Sequence, residues 1–387
     1  MSKSVVIVGG GAMGSSLACF LAAQKSSDAN ITVVERDPTY RIASSSLSAS
    51  SIRQQFSTPV SILLSQYGYE FMSSLEGAGA AQSSGVGLTP RGYLFLAKAY
   101  QEPELRRRTQ LARALGVDLR EYTPAQLKAT FPWMAMEDIT YGVQGAKGEG
   151  WFDGYCLMQE YRTRARTGGV SYITGNVVGM DERHGRIQAV RLDDGRTLEA
   201  DIVVNACGAW ADDLARQVGL SLPIKPRRRT IFVISCPERI ANFPILIDTS
   251  GIFVRPEQHH YLCTLSPDVE LDFDHLPLDP DLHQFEEEIW PVLAERIPAF
   301  EALRIERAWA GYYEYNTIDH NGIVGKTEIE NFYVAAGFSG HGLMHSAGVG
   351  RSLAELITFG EYRSIDLSPL SPDRFANGQP IVELGVY

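Results

Sequence analysis

The first forty residues carry the most regular pattern of apolar and polar positions in the chain. Four apolar residues at positions 5–8 precede three consecutive glycines, and helical spacing then runs from Met13 to about Gln24. A second apolar run at residues 31–37 ends in acidic residues. Short apolar runs on both sides of a helical segment are typical of buried parallel strands joined by a crossover helix. The pattern therefore predicts a β-α-β unit.

The turn between the first strand and the helix has the spacing G-x-G-x-x-G, with glycines at Gly9, Gly11 and Gly14. In a β-α-β unit these glycines permit a tight turn, close approach of backbone to a pyrophosphate, and packing of the helix on the sheet. The acid Glu35 ends the second strand, where it would accept hydrogen bonds from ribose hydroxyls. An acid there disfavours a 2′-phosphate, so the pattern predicts binding of NAD or FAD.

A second group of strands is predicted in the middle of the chain. Residues 186–206 read as a strand, a turn at 193–195, another strand and an apolar run at 202–206. Such a hairpin followed by a buried strand would return the chain to the first sheet. The segment 170–178 before it is a further strand, and Val177 would lie near an adenine.

The pattern changes between about residues 222 and 308. Strands rich in Ile, Phe and Val surround the basic run Arg227–Arg229, and an acidic amphipathic helix is predicted near residues 281–294. These elements predict a separate sheet with covering helices. Alternate residues of a strand point to opposite faces, so at least one of the arginines would face inward. A fully solvated charge run is the alternative.

Another glycine-rich turn follows an apolar run near the end of the chain, in "YVAAGFSGHGLMHSAGVG" (residues 333–350). Glycines at such a place let backbone approach a ligand closely. One protein therefore has two such turns, more than three hundred residues apart.

Composition narrows the class of protein. The 387 residues suggest two domains, and 44% hydrophobic and 21% charged residues are ordinary for a soluble globular protein. A net charge of −11 argues against nucleic acid and anionic membranes as partners. We expect no membrane span, no signal peptide before the first strand, and a cytoplasmic location. The five cysteines have no metal-binding spacing, so we expect free thiols and no metal.

The order of the motifs resembles that of the FAD-dependent amino acid and amine oxidoreductases, which include D-amino acid oxidase, glycine oxidase and sarcosine oxidase. The resemblance runs through "VVIVGGGAMG", "NACGAWADDL", "KPRRRTIF" and "AGFSGHGLMHSAGVGRSLAEL". The branch of FAD-dependent oxidoreductase domain-containing proteins is the most similar, through "SIRQQFS" and "WAGYYEYNTIDHNGIVG".

The resemblance implies an α/β fold in which two domains are interleaved. A Rossmann-like FAD-binding domain would comprise residues 1–85, 145–220 and 320–387. An antiparallel-sheet α+β substrate domain would comprise residues 86–144 and 221–319.

The resemblance also explains the two glycine turns, because the first would hold the pyrophosphate of FAD and the second would reach the flavin ring. The helix at residues 346–357 would point its positive end at the ring and stabilise the reduced flavin. FAD should be bound non-covalently, since the segment around Gly311 lacks the cysteine that carries the flavin in sarcosine oxidase. The expected cofactor-binding residues are Gly9, Gly11, Ala12, Met13, Gly14, Glu35, Arg36, Ser44, Ser45, Val177, Gly208, Gly311, Gly337, Ser339, Gly340, His341, Gly342, Leu343 and Met344.

On the substrate side, Arg53 matches a family arginine that contacts the substrate carboxylate; an arginine on a surface helix is the alternative. Tyr313, Arg255 and His341 are the other expected catalytic residues, with Tyr312 and Glu314 as further wall positions. Two family anchors for the carboxylate are replaced here. Met344 stands where sarcosine oxidase has a lysine, and Tyr313 stands where glycine oxidase has an arginine.

The activity implied is oxidation of the C–N bond of an amino acid or N-substituted amino acid, including a dicarboxylic secondary amine. A hydride would pass to flavin N5, and the resulting imine would hydrolyse. The segment that begins at His259 has no lysine of the kind that promotes reaction with oxygen. The electron acceptor is therefore either oxygen or a quinone or electron-transfer partner. Two other readings stay open: a flavoprotein that acts as an assembly or scaffold factor, and an NAD-dependent dehydrogenase.

Overall fold

The structure is a computed structural model that describes residues 3–24, 29–77, 85–145, 147–267 and 271–385. In chain order its strands are β1 (Ser4–Val8), β2 (Asn30–Glu35), β3 (Ser51–Ile52), β4 (Tyr93–Ala97), β5 (Leu119–Tyr122), β6 (Tyr141–Gly145), β7 (Gly150–Trp151), β8 (Ser171–Thr174), β9 (Val177–Arg183), β10 (Arg186–Leu192), β11 (Thr197–Glu199), β12 (Ile202–Asn205), β13 (Ile224–Ser235), β14 (Ile245–Ile247), β15 (Phe253–Glu257), β16 (His260–Thr264), β17 (Arg304–Asn316), β18 (Ile323–Lys326) and β19 (Phe332–Ala336).

The helices cover the sheets on their outer faces. They are α1 (Ala12–Ala23), α2 (Ser44–Leu47), α3 (Pro59–Gly77), α4 (Glu102–Ala114), α5 (Pro124–Thr130), α6 (Gly154–Thr167), α7 (Ala211–Arg216), α8 (Leu282–Gln284), α9 (Trp290–Arg296), α10 (Gly342–Phe359) and α11 (Asp373–Ala376). Short 3₁₀ turns lie at Gly208–Trp210, Pro298–Ala302 and Ser368–Leu370, and a π turn at Phe285–Ile289 joins α8 to α9.

The first sheet has six strands in the order β18-β19-β12-β1-β2-β8, all parallel except β18. Its strands β1, β2 and β12 are built from Val and Ile that are almost fully buried, as expected for a parallel sheet with both faces covered. The predicted β-α-β unit is confirmed, and β12 pairs with β1 after the β10–β11 hairpin as predicted.

A second sheet of eight strands has the order β17-β13-β16-β15-β14-β4-β6-β5. Its neighbours are antiparallel except for the pair β14 and β4. The long strands β13 and β17 pair along their whole length, and Arg229 lies opposite Gly311. Residues of this sheet and of the helical segment at residues 282–296 together form a separate apolar core. The predicted α/β class, with a parallel and an antiparallel sheet, is confirmed; the division into residue ranges stays a prediction.

The topology brings the two glycine turns together. Strands β1 and β19 are both parallel to β12 and flank it on either side, so the turns that follow them lie at the same edge of the sheet. That edge, at the carboxyl ends of parallel strands, is where α/β sheets bind their ligands.

Candidate active site

The three glycines of the first turn have different roles. Gly9 has a φ of +100°, and a Cβ there would lie 2.3 Å from the Ala206 carbonyl oxygen. A Cβ on Gly14 would lie 1.9 Å from the Gly9 carbonyl oxygen, so both positions require glycine for packing. A Cβ on Gly11 would meet only the Ser45 hydroxyl, at 3.5 Å. The backbone of Gly11 therefore faces open space.

Helix α1 begins at Ala12, directly behind that open space, and its N-cap residue, Gly11, has no side chain to cap it. The first N–H of the helix donates to the Ser45 hydroxyl at 3.0 Å. The carboxylate of Glu35 accepts hydrogen bonds from the backbone N–H groups of Gly10 (2.8 Å) and Asp37 (2.9 Å). A helix N-terminus beside a glycine turn is suited to a phosphate group, which supports the predicted fit to a dinucleotide.

We call the space in front of this turn the dinucleotide cavity. Its empty volume is about 1280 Å³, including solvent at its mouth, and it runs from Val177 to Glu314. A cavity that extends between these residues suits an elongated ligand. Ten of the predicted cofactor residues line it: Gly9, Gly11, Ala12, Met13, Glu35, Arg36, Ser44, Ser45, Val177 and Gly208.

The second glycine turn has a more irregular backbone than the first. Gly337, Ser339 and Gly340 all have positive φ, and a Cβ on Gly340 would lie 2.5 Å from the ring of Tyr313. Helix α10 begins at Gly342, so the predicted start at residue 346 was four residues late. The helix therefore brings its positive end directly to the turn.

Gly337 does not line the cavities. Its N–H donates to Glu314 Oε2 at 3.0 Å, and a Cβ there would crowd Ile224. Gly337 therefore shapes the turn, and the residues after it are the ones that can approach a ligand.

Two further cavities continue from the dinucleotide cavity. The middle cavity, of about 740 Å³, shares with it the residues Ala12, Met13, Ser44, Ser45 and Glu314. The inner cavity, of about 580 Å³, shares with the middle cavity the residues Ser48, Ala49, Thr264, Tyr313, Gly340 and Leu343. The three cavities therefore adjoin one another in series, and we call this series the passage. Gly311, Gly340, Gly342 and Leu343 line its middle part, while Ser339, His341 and Met344 line its inner part.

Arg53 lies at the inner end of the passage, and its side chain is only 3% exposed. The alternative of a surface arginine is therefore wrong. Its guanidinium donates to the Gln55 carbonyl at 2.8 Å and lies over the ring of Phe56. The Nη2 atom also contacts His341 Nε2 at 3.1 Å, and it donates to the carbonyl of Gly385.

Burial and the Arg53 charge together hold the pKa of His341 well below its usual range. The imidazole is therefore neutral at neutral pH. A neutral ring in contact with a guanidinium leaves Arg53 as the positive charge at this end of the passage.

The segment at residues 381–385 reaches Arg53 because it is tied to the protein by a buried carboxylate. Glu383 is fully buried and accepts hydrogen bonds from the amides and hydroxyls of Ser57 and Thr58. It also accepts from the Gly385 N–H at 3.0 Å. These bonds place the Gly385 carbonyl against Arg53. No motif in the sequence pointed to this contact.

The basic run on β13 divides as predicted between the two faces of its strand. Arg229 is 5% exposed, lines the middle cavity, and makes a bidentate ion pair with Asp272 at 2.7 and 2.9 Å. It also lies 5.2 Å from the ring centroid of Tyr313. Arg228 points the other way and pairs with Asp281. One arginine of the run therefore faces the passage.

Of two predicted wall residues, the structure places Tyr313 on the wall and Arg255 elsewhere. Tyr313 lines both the middle and the inner cavity, as expected. Arg255 is buried but lies outside the passage, because its guanidinium donates to the Ala49 carbonyl at 2.9 Å and pairs with Glu257. It braces the loop that carries Ala49, and we correct its predicted place on the wall.

The serine-rich segment at residues 43–51 forms much of the wall, which sequence reasoning missed. Leu47 lines the middle cavity, and Ser48 and Ala49 line both the middle and the inner cavity. The signal was the run of small residues "ASSSLSASS", directly between the dinucleotide unit and Arg53. Tyr93 and Thr264, from the antiparallel sheet, were also missed.

Three features define the class of protein, a dinucleotide-dependent oxidoreductase. They are the β-α-β nucleotide turn, the second glycine turn on the same sheet edge, and the passage along which both lie. The chain belongs to the DAO family of FAD dependent oxidoreductases, whose family model matches residues 4–356. The predicted family is thereby confirmed, FAD is its cofactor, and the NAD-dependent reading is wrong.

Three similar proteins agree with this assignment. FAD-dependent oxidoreductase domain-containing protein 1 from Xenopus laevis is 36% identical over 420 residues, covering 99% of this chain and 84% of that protein. Mitochondrial sarcosine dehydrogenase from Mus musculus is 26% identical over 291 residues, covering 71% of this chain and 31% of that protein. The structure of L-proline dehydrogenase from P. horikoshii superposes with a TM-score of 0.83 and 26% identity, covering 98% and 99% of the two chains.

Two further observations bear on the site. Within the described ranges, no group of three His, Cys, Asp or Glu side chains is placed to bind a metal. None of the helices in the described part of the chain combines the length and apolar character needed to cross a membrane.

Proposed function

We propose that the protein uses FAD to oxidise the C–N bond of an amino acid or N-substituted amino acid to an imine, which then hydrolyses. The observation that carries this proposal is the passage itself. It begins at the dinucleotide turn and ends at the buried guanidinium of Arg53. A passage with a cation at its inner end is suited to a small carboxylate beside the redox centre.

Bound FAD would supply the redox chemistry by accepting a hydride equivalent at N5. The residues of the first turn and Glu35 would hold its pyrophosphate and ribose, and the second turn would meet the ring. The remaining task of the protein is to orient the substrate and exclude water from it.

Arg53 is our proposed anchor for the substrate carboxylate, because a guanidinium can hold a carboxylate through two parallel hydrogen bonds. In the structure one N–H group of Arg53 donates to the Gly385 carbonyl. The substrate carboxylate would take the place of that carbonyl. Tyr313 would pack against the substrate between the two cavities, and neutral His341 would add no competing charge.

A secondary amine with a second carboxylate is the substrate class that the arginines suit best. Arg229 supplies a second guanidinium to the passage, beside Tyr313. Its ion pair with Asp272 fixes its direction and offsets part of its charge. The names of two similar proteins, sarcosine and L-proline dehydrogenase, specify amino acids with secondary amines. Oxygen and a quinone or electron-transfer partner are the two proposed acceptors.

The test is anaerobic reduction of the bound flavin by a panel comprising sarcosine, L-proline, iminodiacetate and amines without a carboxylate. We expect the carboxylate-bearing amines to bleach the flavin, and iminodiacetate to do so best. Bleaching by none of them would overturn the proposal and favour a flavoprotein with an assembly role and little turnover.

A pair of variants on one strand tests the second anchor. Arg229→Lys keeps the charge but loses the bidentate geometry, so it should raise KM for iminodiacetate more than for sarcosine. Arg228→Lys, on the opposite face, is the matched control and should change neither KM. Equal effects of Arg229→Lys on both substrates would remove Arg229 from the proposal.

A further inference from the structure

Glu314 occupies the junction between the dinucleotide cavity and the middle cavity. Of the five residues that line both, Ala12, Met13, Ser44, Ser45 and Glu314, it is the only one with an ionisable side chain. A ligand that spans from the first glycine turn to the second must pass this carboxyl group.

The contacts of Glu314 leave part of the carboxyl group directed at the passage. Its Oε2 accepts from the Gly337 N–H at 3.0 Å. Its Oε1 lies near the first residue of α10, since a Cβ on Gly342 would be 2.8 Å from it. Within the described residues, no Lys, Arg or His pairs with this carboxylate.

The absence of a cation beside this half-buried carboxylate has a direct electrostatic consequence. Burial raises the pKa of Glu314 to about 7, although hydrogen bonds from the backbone N–H groups of Gly337 and Phe338 lower it. The group therefore changes charge near neutral pH. A carboxyl group with such a pKa beside a bound ligand is typical of functional sites.

We propose that Glu314 makes the affinity for FAD depend on pH: its neutral form faces the bound cofactor, and its ionised form weakens binding. The physical reason is charge. FAD carries a negative pyrophosphate, and the ionised carboxylate would bring a second negative charge into the passage the cofactor occupies. The neutral acid can also donate a hydrogen bond to the cofactor, which the carboxylate cannot. By linkage, FAD binding must then raise the pKa of Glu314.

Four other ionisable groups around the passage have pKa values displaced away from neutral pH. Burial raises the pKa of Cys207 to about 12 and moves that of Tyr40 and Tyr313 further from neutrality. Burial and Arg53 keep the neighbouring His341 neutral. The remaining ionisable groups on the walls of the two cavities are Glu35, Arg36, Asp37, Asp213, Arg229 and Tyr312.

The test measures binding directly and needs no turnover. Apoprotein is titrated with FAD from about pH 5.5 to about pH 8.5, and the dissociation constant is followed by quenching of flavin fluorescence. A shift of one unit in the pKa of Glu314 on binding corresponds to about a tenfold difference in affinity between its two forms. We expect the dissociation constant of the parent protein to rise about threefold to tenfold across this range, with a midpoint near 7.

Two substitutions separate Glu314 from other carboxyl groups. Glu314→Gln should remove the pH dependence. Glu149→Gln is the matched control. Burial likewise raises the pKa of Glu149 to about 7, but this residue lies outside the three cavities. The control should keep the dependence of the parent. An unchanged slope in Glu314→Gln, or a flat response in the parent, would overturn the proposal.

If Glu314→Gln fails to fold, infrared titration of Glu149→Gln answers the same question. A protonated carboxyl group that titrates near pH 7 in the apoprotein, and at higher pH with FAD bound, supports the proposal. A carboxyl signal that FAD leaves in place contradicts it.

Discussion

Arg53 Nη2 lies 3.1 Å from His341 Nε2, and both atoms also contact the carbonyl oxygen of Gly385. A guanidinium can only donate, so the contact between the two side chains is a hydrogen bond in the tautomer that carries its proton on Nδ1. The two residues are separated by 288 positions in the sequence. At the inner end of the passage, the Arg53 guanidinium is thus held by a neutral ring and backbone carbonyls, and the Arg108 guanidinium shares the Gln55 carbonyl with it.

Replacing Arg53 tests its role as the carboxylate anchor. Arg53→Met should keep FAD bound but lower kcat/KM for a carboxylate-bearing amine. Loss of a charge-assisted pair in a partly dry pocket costs about 2–5 kcal/mol, or roughly 30-fold to several thousand-fold. Arg53→Lys should recover only part of the rate, because an ammonium lacks the bidentate geometry. The measurement is anaerobic flavin reduction by sarcosine and L-proline; equal rates in Arg53→Met and the parent would transfer the role to Arg229.

The first glycine turn allows a substitution that blocks the cofactor without disturbing the fold. A valine at position 11 would extend into open space beside Ser45, so Gly11→Val should fold but bind no FAD. Gly9→Val is the contrasting variant. Its φ of +100° and the 2.3 Å approach to Ala206 should destabilise the protein itself. Circular dichroism and flavin absorbance separate the two effects; normal flavin content in Gly11→Val would refute the expectation.

Bound FAD should leave the protein on denaturation. The segment around Gly311, where the resemblance to sarcosine oxidase would imply a cysteine for covalent attachment, has no cysteine. Acid precipitation should therefore release the yellow colour into the supernatant. Colour that stays in the pellet would show a covalent bond and disprove the prediction.

Glu149 should make a contribution to stability that falls as pH rises towards about 7. Glu149 is fully buried and accepts hydrogen bonds from the Gln54 N–H (2.7 Å) and the Gln55 side chain (2.9 Å). Burial raises its pKa from 4.5 to about 7, so the folded state binds more protons than the unfolded state between these values. The contribution of Glu149 to the free energy of unfolding is therefore fully present below about pH 4.5 and is lost as pH rises to about 7.

Glu149→Gln should reduce that decrease by up to about 3 kcal/mol, the equivalent of the shift in pKa. Urea unfolding at about pH 5 and about pH 8 measures it. Parallel pH profiles for the variant and the parent would contradict the assignment to Glu149.

Local patterns predicted the parts of the site that local geometry determines. The glycine spacing before α1 and the acid at Glu35 identified the nucleotide turn, because only glycine tolerates the approach at Gly9 and Gly14. The start of α10 was missed because Gly342 itself has low helix propensity, although Leu343 and Met344 after it are good helix formers. The helix nevertheless begins there, since tertiary contacts decide the start.

Long-range contacts were beyond the reach of such patterns. Alternation along a strand gives the face of a residue but not its partner, so it could not show that Arg255 binds the Ala49 carbonyl. The hydrogen bond between Glu383 and Ser57 joins residues 326 positions apart through one carboxylate. No periodic pattern in the sequence predicts this contact. Arg53 was identified by a motif, yet its environment depends on that link.

Cys207 lies on the wall of the dinucleotide cavity, and its thiol donates to the Val8 carbonyl at 3.4 Å. Burial raises its pKa to about 12, so almost none of it is thiolate at neutral pH, and alkylating reagents will react with it slowly. In apoprotein prepared by removal of FAD, a reagent can therefore reach this sulfur atom, but the thiol reacts slowly. At neutral pH we therefore expect alkylating reagents to modify Cys207 of the apoprotein slowly enough for FAD to be reloaded.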